Sequence, residues 1–190
     1  FGDDGLPIAP AQTLAGPGSI SNGVTACAPD RCVVVWSQAG TLSKRVDASG
    51  MVLDPFGTLV GPHANGHKVV FDGTNFVISI VNGVKRLTPS GVPLEADPIA
   101  VFAADSYVYG LASDGTGTLA AGPNQVRRVN PDGSLGSLVS TGQTFYSLGW
   151  TGASYLGVVQ QSPPIGAVIG QRLDATGALL GGNIPYGVLG

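Results

Sequence analysis

The two histidines of the chain, His63 and His67, are four residues apart, the spacing with which a helix presents two zinc ligands on one face. The residues between them, Ala64-Asn65-Gly66, are typical of a loop, and the Glu that follows the first histidine in zinc-enzyme motifs is missing. The pair therefore predicts an exposed connecting loop. We expect no metal site and no bound cofactor.

Acidic side chains are the other candidates for chemistry, because a polysaccharide-acting hydrolase needs two carboxylates across the sugar bond. Most of the twelve acidic residues fall in predicted turns, where Asp side chains bond to the local backbone. The sequence has no Gly-x-Ser-x-Gly elbow, no phosphate-binding loop and no calcium-binding loop. We therefore predict no catalytic residue and a non-enzymatic protein, with a polysaccharide hydrolase as the alternative.

Cys27 and Cys32 are the only cysteines, and four residues including a Pro separate them. A pair this close predicts a disulfide across a tight turn. The alternatives are two free thiols, a redox pair or half of a metal site, but redox motifs usually separate the cysteines by two residues and zinc needs four ligands. A disulfide in a chain with few charges favours a secreted or cell-surface location.

Composition limits the classes of protein that remain. The 190 residues include 30 Gly and 14 Pro, only 11% are charged, and no apolar run approaches the ~18–20 residues of a membrane-spanning helix. A membrane-inserted protein, a helical bundle and a coiled coil are excluded, and a turn-rich all-β domain is indicated. The net charge of −3 gives no bulk attraction to nucleic acid. The start at Phe1, without Met or a signal-like segment, favours a processed or truncated chain.

An internal repeat organises the chain. A pattern of Arg, an aliphatic residue, three turn residues and Gly occurs four times, and its Gly positions step by 41, 42 and 44 residues. A partial fifth copy, Asp3-Asp4-Gly5, lies near the start. The four full copies are Arg45 to Gly50, Arg86 to Gly91, Arg128 to Gly133 and Arg172 to Gly177.

A second landmark lies between these copies and consists of a turn followed by an aromatic and aliphatic run. Its clearest copy is Val69 to Ile80, and Asp-Gly or Gly-Thr steps beside such residues are hairpin signals. In this alignment Cys27 and Cys32 take the places of Phe71 and Phe76. The other copies are residues 28–36, 104–109 and 150–159.

Four short strands in each unit of about 40–45 residues are typical of a propeller blade. We therefore predict a single all-β domain over residues 1–190, a four-bladed β-propeller. The predicted blades cover residues 5–50, 51–91, 92–133 and 134–177, and residues 178–190 are expected to close the ring by pairing beside the first blade. The alternatives are an open β-solenoid, a β-sandwich, or an open propeller completed by a second chain.

The two landmarks resemble the units of secreted bacterial repeat proteins that are common in myxobacteria. Phe71 to Ile80 is similar to their Phe-Asp-Gly-Thr-Asn-Tyr-Leu-Val-Val-Trp half, and residues 45–54 and 86–94 to their Arg-Val-Ser-Pro-x-Gly-x-Val-Leu-Asp half. The resemblance implies an extracellular, propeller-like fold and supplies no catalytic residue. The size also resembles a hemopexin-like propeller, although the disulfide between the first and last blades of that family is missing.

Seven of the nine basic residues fall on the predicted strands that carry the Arg of the repeat. Repetition in every unit favours a structural role for Arg45, Arg86, Arg128 and Arg172. The alternative is an anion-binding belt for an acidic polysaccharide or a carboxylated partner. The seven are Lys44, Arg45, Lys85, Arg86, Arg127, Arg128 and Arg172.

Departures from the repeat are the predicted places for binding, because loops on rigid scaffolds usually carry it. Extra segments at residues 111–120 and 160–165 make Ser113, Asp114, Thr116, Gln160 and Gln161 candidate binding-loop residues. The candidate stacking aromatics are Trp36, Tyr109, Trp150 and Tyr155.

The sequence thus predicts a non-enzymatic extracellular binding module, with lectin-like carbohydrate binding as the sharper hypothesis. Besides the hydrolase, a spacer domain of a larger surface protein is the alternative. The expected partners are a glycan or a protein ligand, other domains of the same polypeptide, or a second copy in a homodimer. Nucleic acid binding and membrane insertion are not expected.

Overall fold

The computed structural model describes residues 12–16, 21–62, 67–104, 106–160 and 168–185, with Gln160 by its backbone alone. His63 and Gln161 lie outside these ranges. The described residues form sixteen β-strands, arranged as four antiparallel sheets of four strands, and include no helix long and apolar enough to cross a membrane. The all-β prediction is confirmed.

Each sheet is built from one continuous stretch of chain, and its strands are hydrogen-bonded in chain order. Sheet 1 contains β1 (Ser21–Cys27), β2 (Arg31–Gln38), β3 (Gly40–Asp47) and β4 (Thr58–Gly61). Sheet 2 contains β5 (Val69–Phe71), β6 (Phe76–Ile80), β7 (Gly83–Leu87) and β8 (Ile99–Ala100). Sheet 3 contains β9 (Gly110–Ser113), β10 (Thr118–Gly122), β11 (Gln125–Val129) and β12 (Leu135–Ser140). Sheet 4 contains β13 (Phe145–Trp150), β14 (Tyr155–Gln160), β15 (Val168–Leu173) and β16 (Leu179–Pro185).

The sheets begin and end at other points than the predicted blades. The repeat Gly was expected to end a blade, but the turn that contains it joins the third and fourth strands of one sheet. These glycines have φ of +80° to +93°, and such a short turn returns the chain beside the strand it has just left. They are Gly50, Gly91, Gly133 and Gly177.

The predicted closing segment, residues 178–190, is corrected by the same geometry. Its described part forms β16, which pairs with β15 and so completes sheet 4 instead of pairing beside the first sheet. Residues 186–190 lie outside the described ranges.

The same hairpin turn joins the first two strands of every sheet. In each, the backbone N–H of the first turn residue donates to the carbonyl of the fourth, over 2.8 to 3.3 Å. The third copy of this landmark therefore lies at residues 113–118, and the prediction at 104–109 is wrong. Residues 111–120, predicted as an insertion, contain this hairpin, so the unit of sheet 3 has no insertion there. The four bonds run from Ala28 to Arg31, Asp72 to Asn75, Asp114 to Gly117 and Thr151 to Ser154.

Apolar side chains fill the space between successive sheets, in three buried clusters. Because side chains alternate along a strand, each sheet has a forward face toward the next sheet and a rear face toward the preceding one. The first strands also contact in order, β1 with β5, β5 with β9 and β9 with β13. Cluster members include Val33, Val35, Phe76 and Ile78 between sheets 1 and 2, Val77, Val84, Leu111 and Ala120 between sheets 2 and 3, and Leu119, Val126, Phe145 and Tyr155 between sheets 3 and 4.

His67 corrects the expectation of an exposed loop, because its side chain is buried between sheets 1 and 2. Its Nε2 lies 2.6 Å from the Ser37 hydroxyl, and its Nδ1 lies 3.2 Å from the Ser79 carbonyl oxygen. Burial is tolerated because both ring nitrogens have hydrogen-bond partners. Among the described residues, no three His, Cys, Asp or Glu side chains are grouped closely enough to hold a metal ion.

Cys27 and Cys32 form a disulfide that joins the paired ends of β1 and β2. In sheets 2 and 4 the same positions hold aromatic pairs, with ring centroids 5.1 Å and 4.8 Å apart. The cysteines thus replace an aromatic contact across the hairpin, as the sequence alignment predicted. Those pairs are Phe71 with Phe76 and Trp150 with Tyr155.

Removing this disulfide is expected to lower the free energy of unfolding by roughly 2 kcal/mol, because the closed loop is short and restricts the unfolded chain little. The variant is Cys27→Ser with Cys32→Ser, measured by urea denaturation. Wild-type protein with its disulfide reduced is the control and should show the same loss. A loss of more than about 4 kcal/mol would mean that sheet 1 needs the bond in order to fold.

Candidate functional site

The predicted stacking aromatics differ in what they present to solvent. Tyr155 is fully buried and Trp36 is 4% exposed, so neither offers a ring face to a ligand. Trp150 is half-buried and packs on Tyr155 within the cluster between sheets 3 and 4. Tyr109 is half-buried and belongs to a different group of rings.

Three tyrosines form this group, which we call the tyrosine cluster: Tyr107, Tyr109 and Tyr146. The ring centroids of Tyr109 lie 6.3 Å from Tyr107 and 5.6 Å from Tyr146, within the range of aromatic contacts. Tyr107 is 47% exposed and Tyr146 is 51% exposed. The cluster is therefore an exposed aromatic surface in a protein that otherwise buries most of its rings between sheets.

The backbone brings the three rings together from three sheets. Tyr107 forms a β-bridge with Val81, at the turn between β6 and β7 of sheet 2. The N–H of Tyr109 donates to the carbonyl of Ala121 in β10, over 2.8 Å. Tyr146 lies at the start of β13 in sheet 4. Among the three, the repeat pattern indicates Tyr109 alone as a stacking residue, and no signal in the sequence marks Tyr107 or Tyr146 as its neighbours.

The turns within the sheets and the connections between them lie at two opposite ends of the sheets. Because neighbouring strands run in opposite directions, the turns between second and third strands lie at the same end as the connections to the next sheet. This end carries the tyrosine cluster. Gln160 ends β14 at this end as well, whereas Ser113, Asp114 and Thr116 lie in a hairpin turn at the opposite end. The structure thus does not bring the predicted binding-loop residues together.

Polar groups accompany the cluster at its end of the sheets. The connection before Tyr146 contains Gln143, whose side-chain carbonyl oxygen is buried and has no hydrogen-bond partner among the described residues. The Thr144 hydroxyl lies 3.5 Å from the side-chain oxygen of Asn124, in the turn between β10 and β11. Exposed rings beside amide and hydroxyl groups can bind a ligand that has both apolar and hydroxylated surfaces.

Three of the four repeat arginines are held in ion pairs on the same sheet. Their guanidinium nitrogens lie 2.5 to 2.7 Å from carboxylate oxygens. Arg172 differs, because it is exposed and its guanidinium has no hydrogen-bond partner among the described residues. A four-fold belt of free arginines is therefore not present in the described part of the chain. The pairs are Arg45 with Asp54, Arg86 with Glu95 and Arg128 with Asp114.

Asp114 is the most strongly held of these carboxylates. Burial opposes its ionisation, but the Arg128 guanidinium and the amide and hydroxyl of Thr116 outweigh that effect and hold the pKa of Asp114 well below its usual range. Burial, followed by the nearby Asp114 charge, raises the pKa of Tyr155. This group of residues fixes a hairpin turn in place, and its ion pair leaves no free carboxylate for catalysis.

Four antiparallel sheets, each packed on the next with its first strand innermost, define a propeller-like repeat protein. No protein-family model matches the chain, and no curated protein matches it in sequence. Solved structures do match the fold. The WD40 domain of Pan2 from Neurospora crassa has a TM-score of 0.60 at 14% identity, over 85% of this chain and 48% of that one.

Two bacterial structures are similar as well. Apo AztD from Citrobacter koseri has a TM-score of 0.52 at 14% identity, over 87% of this chain and 47% of that one. The extracellular domain of BT4673, a candidate one-component system of B. thetaiotaomicron, has a TM-score of 0.51 at 15% identity, over 90% of this chain and 23% of that one. The chain thus spans about half the length of the first two structures and a quarter of the third.

Proposed function

We propose that the protein is a non-enzymatic extracellular binding module, built of four propeller blades, whose tyrosine cluster binds a glycan. The observation that carries the proposal is the exposure of Tyr107 and Tyr146 on either side of Tyr109. The apolar face of a sugar ring packs on such rings, while phenol hydroxyls and neighbouring amides bind sugar hydroxyls. Gln143 and Thr144 are the neighbouring polar residues.

Two observations support an extracellular location. A disulfide such as Cys27–Cys32 persists in oxidising compartments, and one of the similar structures is an extracellular domain. The resemblance of the repeat units to secreted bacterial proteins points the same way.

The hydrolase alternative has less support, because six of the carboxylates in the described part of the chain have other partners. Asp54, Glu95 and Asp114 bind arginines. Asp47, Asp132 and Asp174 accept hydrogen bonds from the backbone of their own turns. Both roles are those of fold-stabilising side chains.

A glycan array followed by titration calorimetry on the best binder tests the proposal. Tyr109→Ala is expected to weaken binding about tenfold, which corresponds to about 1.4 kcal/mol, because it removes the central ring of the cluster. Phe56→Ala is the matched control, since Phe56 is 82% exposed and lies in the connection between β3 and β4 at the opposite end. The Phe56→Ala variant should bind the glycan with the affinity of the wild type.

Two results would contradict the proposal. A folded protein that binds no glycan on the array would favour the spacer alternative. Undiminished binding by Tyr109→Ala would place the glycan elsewhere on the surface.

A further inference from the structure

The two end sheets have faces that repeat the interior interfaces but lack a neighbour. In every sheet the residue that follows Cys32 or its equivalents Phe76, Thr118 and Tyr155 points forward. In the first three sheets this residue is fully buried against the next sheet: Val33, Val77 and Leu119. Its equivalent in sheet 4, Leu156, is only half-buried. Among the described residues, no buried cluster joins sheet 4 to sheet 1.

The forward face of sheet 4 carries apolar side chains on β14 and β16, with Gly170 and Arg172 of β15 between them. Leu156 and Val158 lie in β14 on the side opposite the buried Tyr155 and Val159. In the strand register, the positions beside them lead through β15 to Leu180 and Ile184 in β16, each 37% exposed. Partly exposed apolar side chains on two strands of one sheet face, beside Arg172, have the chemistry of an interface between sheets.

An apolar pocket of about 320 Å³ lies at the rear face of sheet 1. It is lined by Gly23, Val34 and Trp36 of the sheet and by Leu14 and Ala15 of the segment before it. Val34 is equivalent to Ile78, which in sheet 2 packs against the preceding sheet. The apolar lining suits aliphatic side chains such as those of sheet 4.

In two of the three interior interfaces a repeat arginine adds a directional contact between sheets, whereas between sheets 1 and 2 it is Arg31 whose guanidinium lies 3.5 Å from the equivalent carbonyl, that of Pro89. Arg86 donates to the carbonyl of Pro131, and Arg128 donates to that of Ala175 over 3.1 Å; both acceptors lie in the turn between third and fourth strands of the next sheet. Arg172 occupies the same position in sheet 4, where no sheet follows. The equivalent acceptor in sheet 1 is the carbonyl of Ala48, which is exposed.

We propose that the forward face of sheet 4 packs on the rear face of sheet 1 of a second copy, and that two such contacts close a ring of eight sheets. In each contact Arg172 donates to the Ala48 carbonyl of the other copy. A head-to-tail contact that repeats under a two-fold axis closes a ring without a free face. The Pan2 WD40 domain, about twice this length, matches the chain over about half of its own, so two copies supply the blades of a ring of that size.

The oligomeric state in solution tests this inference. Sedimentation equilibrium of the wild type should give twice the chain mass of 19.1 kDa. Leu156→Asp should give a monomer, because it places a charge in both contacts, and Arg172→Ala should raise the dissociation constant at least tenfold. Leu138→Asp is the matched control and should remain a dimer, since Leu138 is 51% exposed on the outer strand of the interior sheet 3.

A mixing experiment distinguishes a head-to-tail contact from a symmetric one. Leu156→Asp blocks the forward face and Val34→Asp blocks the rear face, so each variant alone should be monomeric. Mixed in equal amounts they retain one intact contact and should form a heterodimer. A monomeric wild type, an assembly larger than a dimer, or dimerisation unaffected by Leu156→Asp and Arg172→Ala would overturn the proposal, and circular dichroism checks that every variant is folded.

Discussion

Replacing Gly73 with Ala is expected to lower the free energy of unfolding by about 4 kcal/mol. Gly73 has a φ of +94°, which costs a residue with a side chain about 1–2 kcal/mol. A Cβ at this position would also lie 2.1 Å from the carbonyl oxygen of Gly115, in the hairpin turn of sheet 3. This carbonyl is part of the backbone and cannot rotate away from the added methyl group, so sheets 2 and 3 must move apart. Overpacking of this kind costs a further ~1–3 kcal/mol.

Gly152 provides a matched control for this substitution. It occupies the equivalent turn of sheet 4 with a φ of +92°, but nothing lies within 4 Å of its Cβ position. Gly152→Ala should therefore cost only the backbone strain of about 1–2 kcal/mol. Urea denaturation of both variants measures the difference, and equal losses would show that the contact between the two turns does not constrain the sheets.

Replacing Asp114 with Ala is expected to lower the free energy of unfolding by about 3 kcal/mol. The Arg128 side chain is 17% exposed and would keep its charge without the two oxygens that it now binds. Asp47→Ala is the control, because Asp47 is exposed, bonds only its own turn and should cost about 1 kcal/mol or less. A double-mutant cycle with Arg128→Ala measures the coupling, and additive losses would contradict the interpretation.

The ion pair of Asp114 with Arg128 also predicts a pH dependence of stability. The pKa of Asp114 in the folded protein lies below its ordinary value of 3.8, so its contribution is complete above that pH and is lost as the pH falls further. The stability difference between wild type and Asp114→Asn should therefore shrink below about pH 4. Unfolding free energies between pH 7 and pH 3 test this, and a constant difference would contradict it.

The sequence predicts the strands and their turns well where a distinctive pair marks the hairpin. Phe71 with Phe76, Trp150 with Tyr155, and Cys27 with Cys32 all lie across a turn as expected. In sheet 3 the predicted position of the landmark is wrong, because Ser113 and Thr118 occupy the paired positions and have no aromatic ring. The tyrosines at residues 107 and 109 then supplied a false copy of the landmark a few residues earlier.

The starting point of each unit could not be predicted from the repeat alone. A period of 41–44 residues is unchanged by any shift along the chain, so it does not say whether the strand after Gly50 begins a sheet or ends one. Hydrogen bonding decides this, because β4 pairs with β3. The tyrosine cluster is unpredictable for a related reason, since Tyr146 is far from Tyr109 in sequence and reaches it only when sheets 3 and 4 pack together.

Because each sheet is one uninterrupted stretch of chain, its gene segment is also a structural unit. Every interior interface joins a forward face to a rear face at equivalent positions. Duplicating or deleting one unit would leave the remaining interfaces intact and move the same two end faces further apart or closer together. The number of blades can therefore change by tandem duplication, with no new interface to be invented.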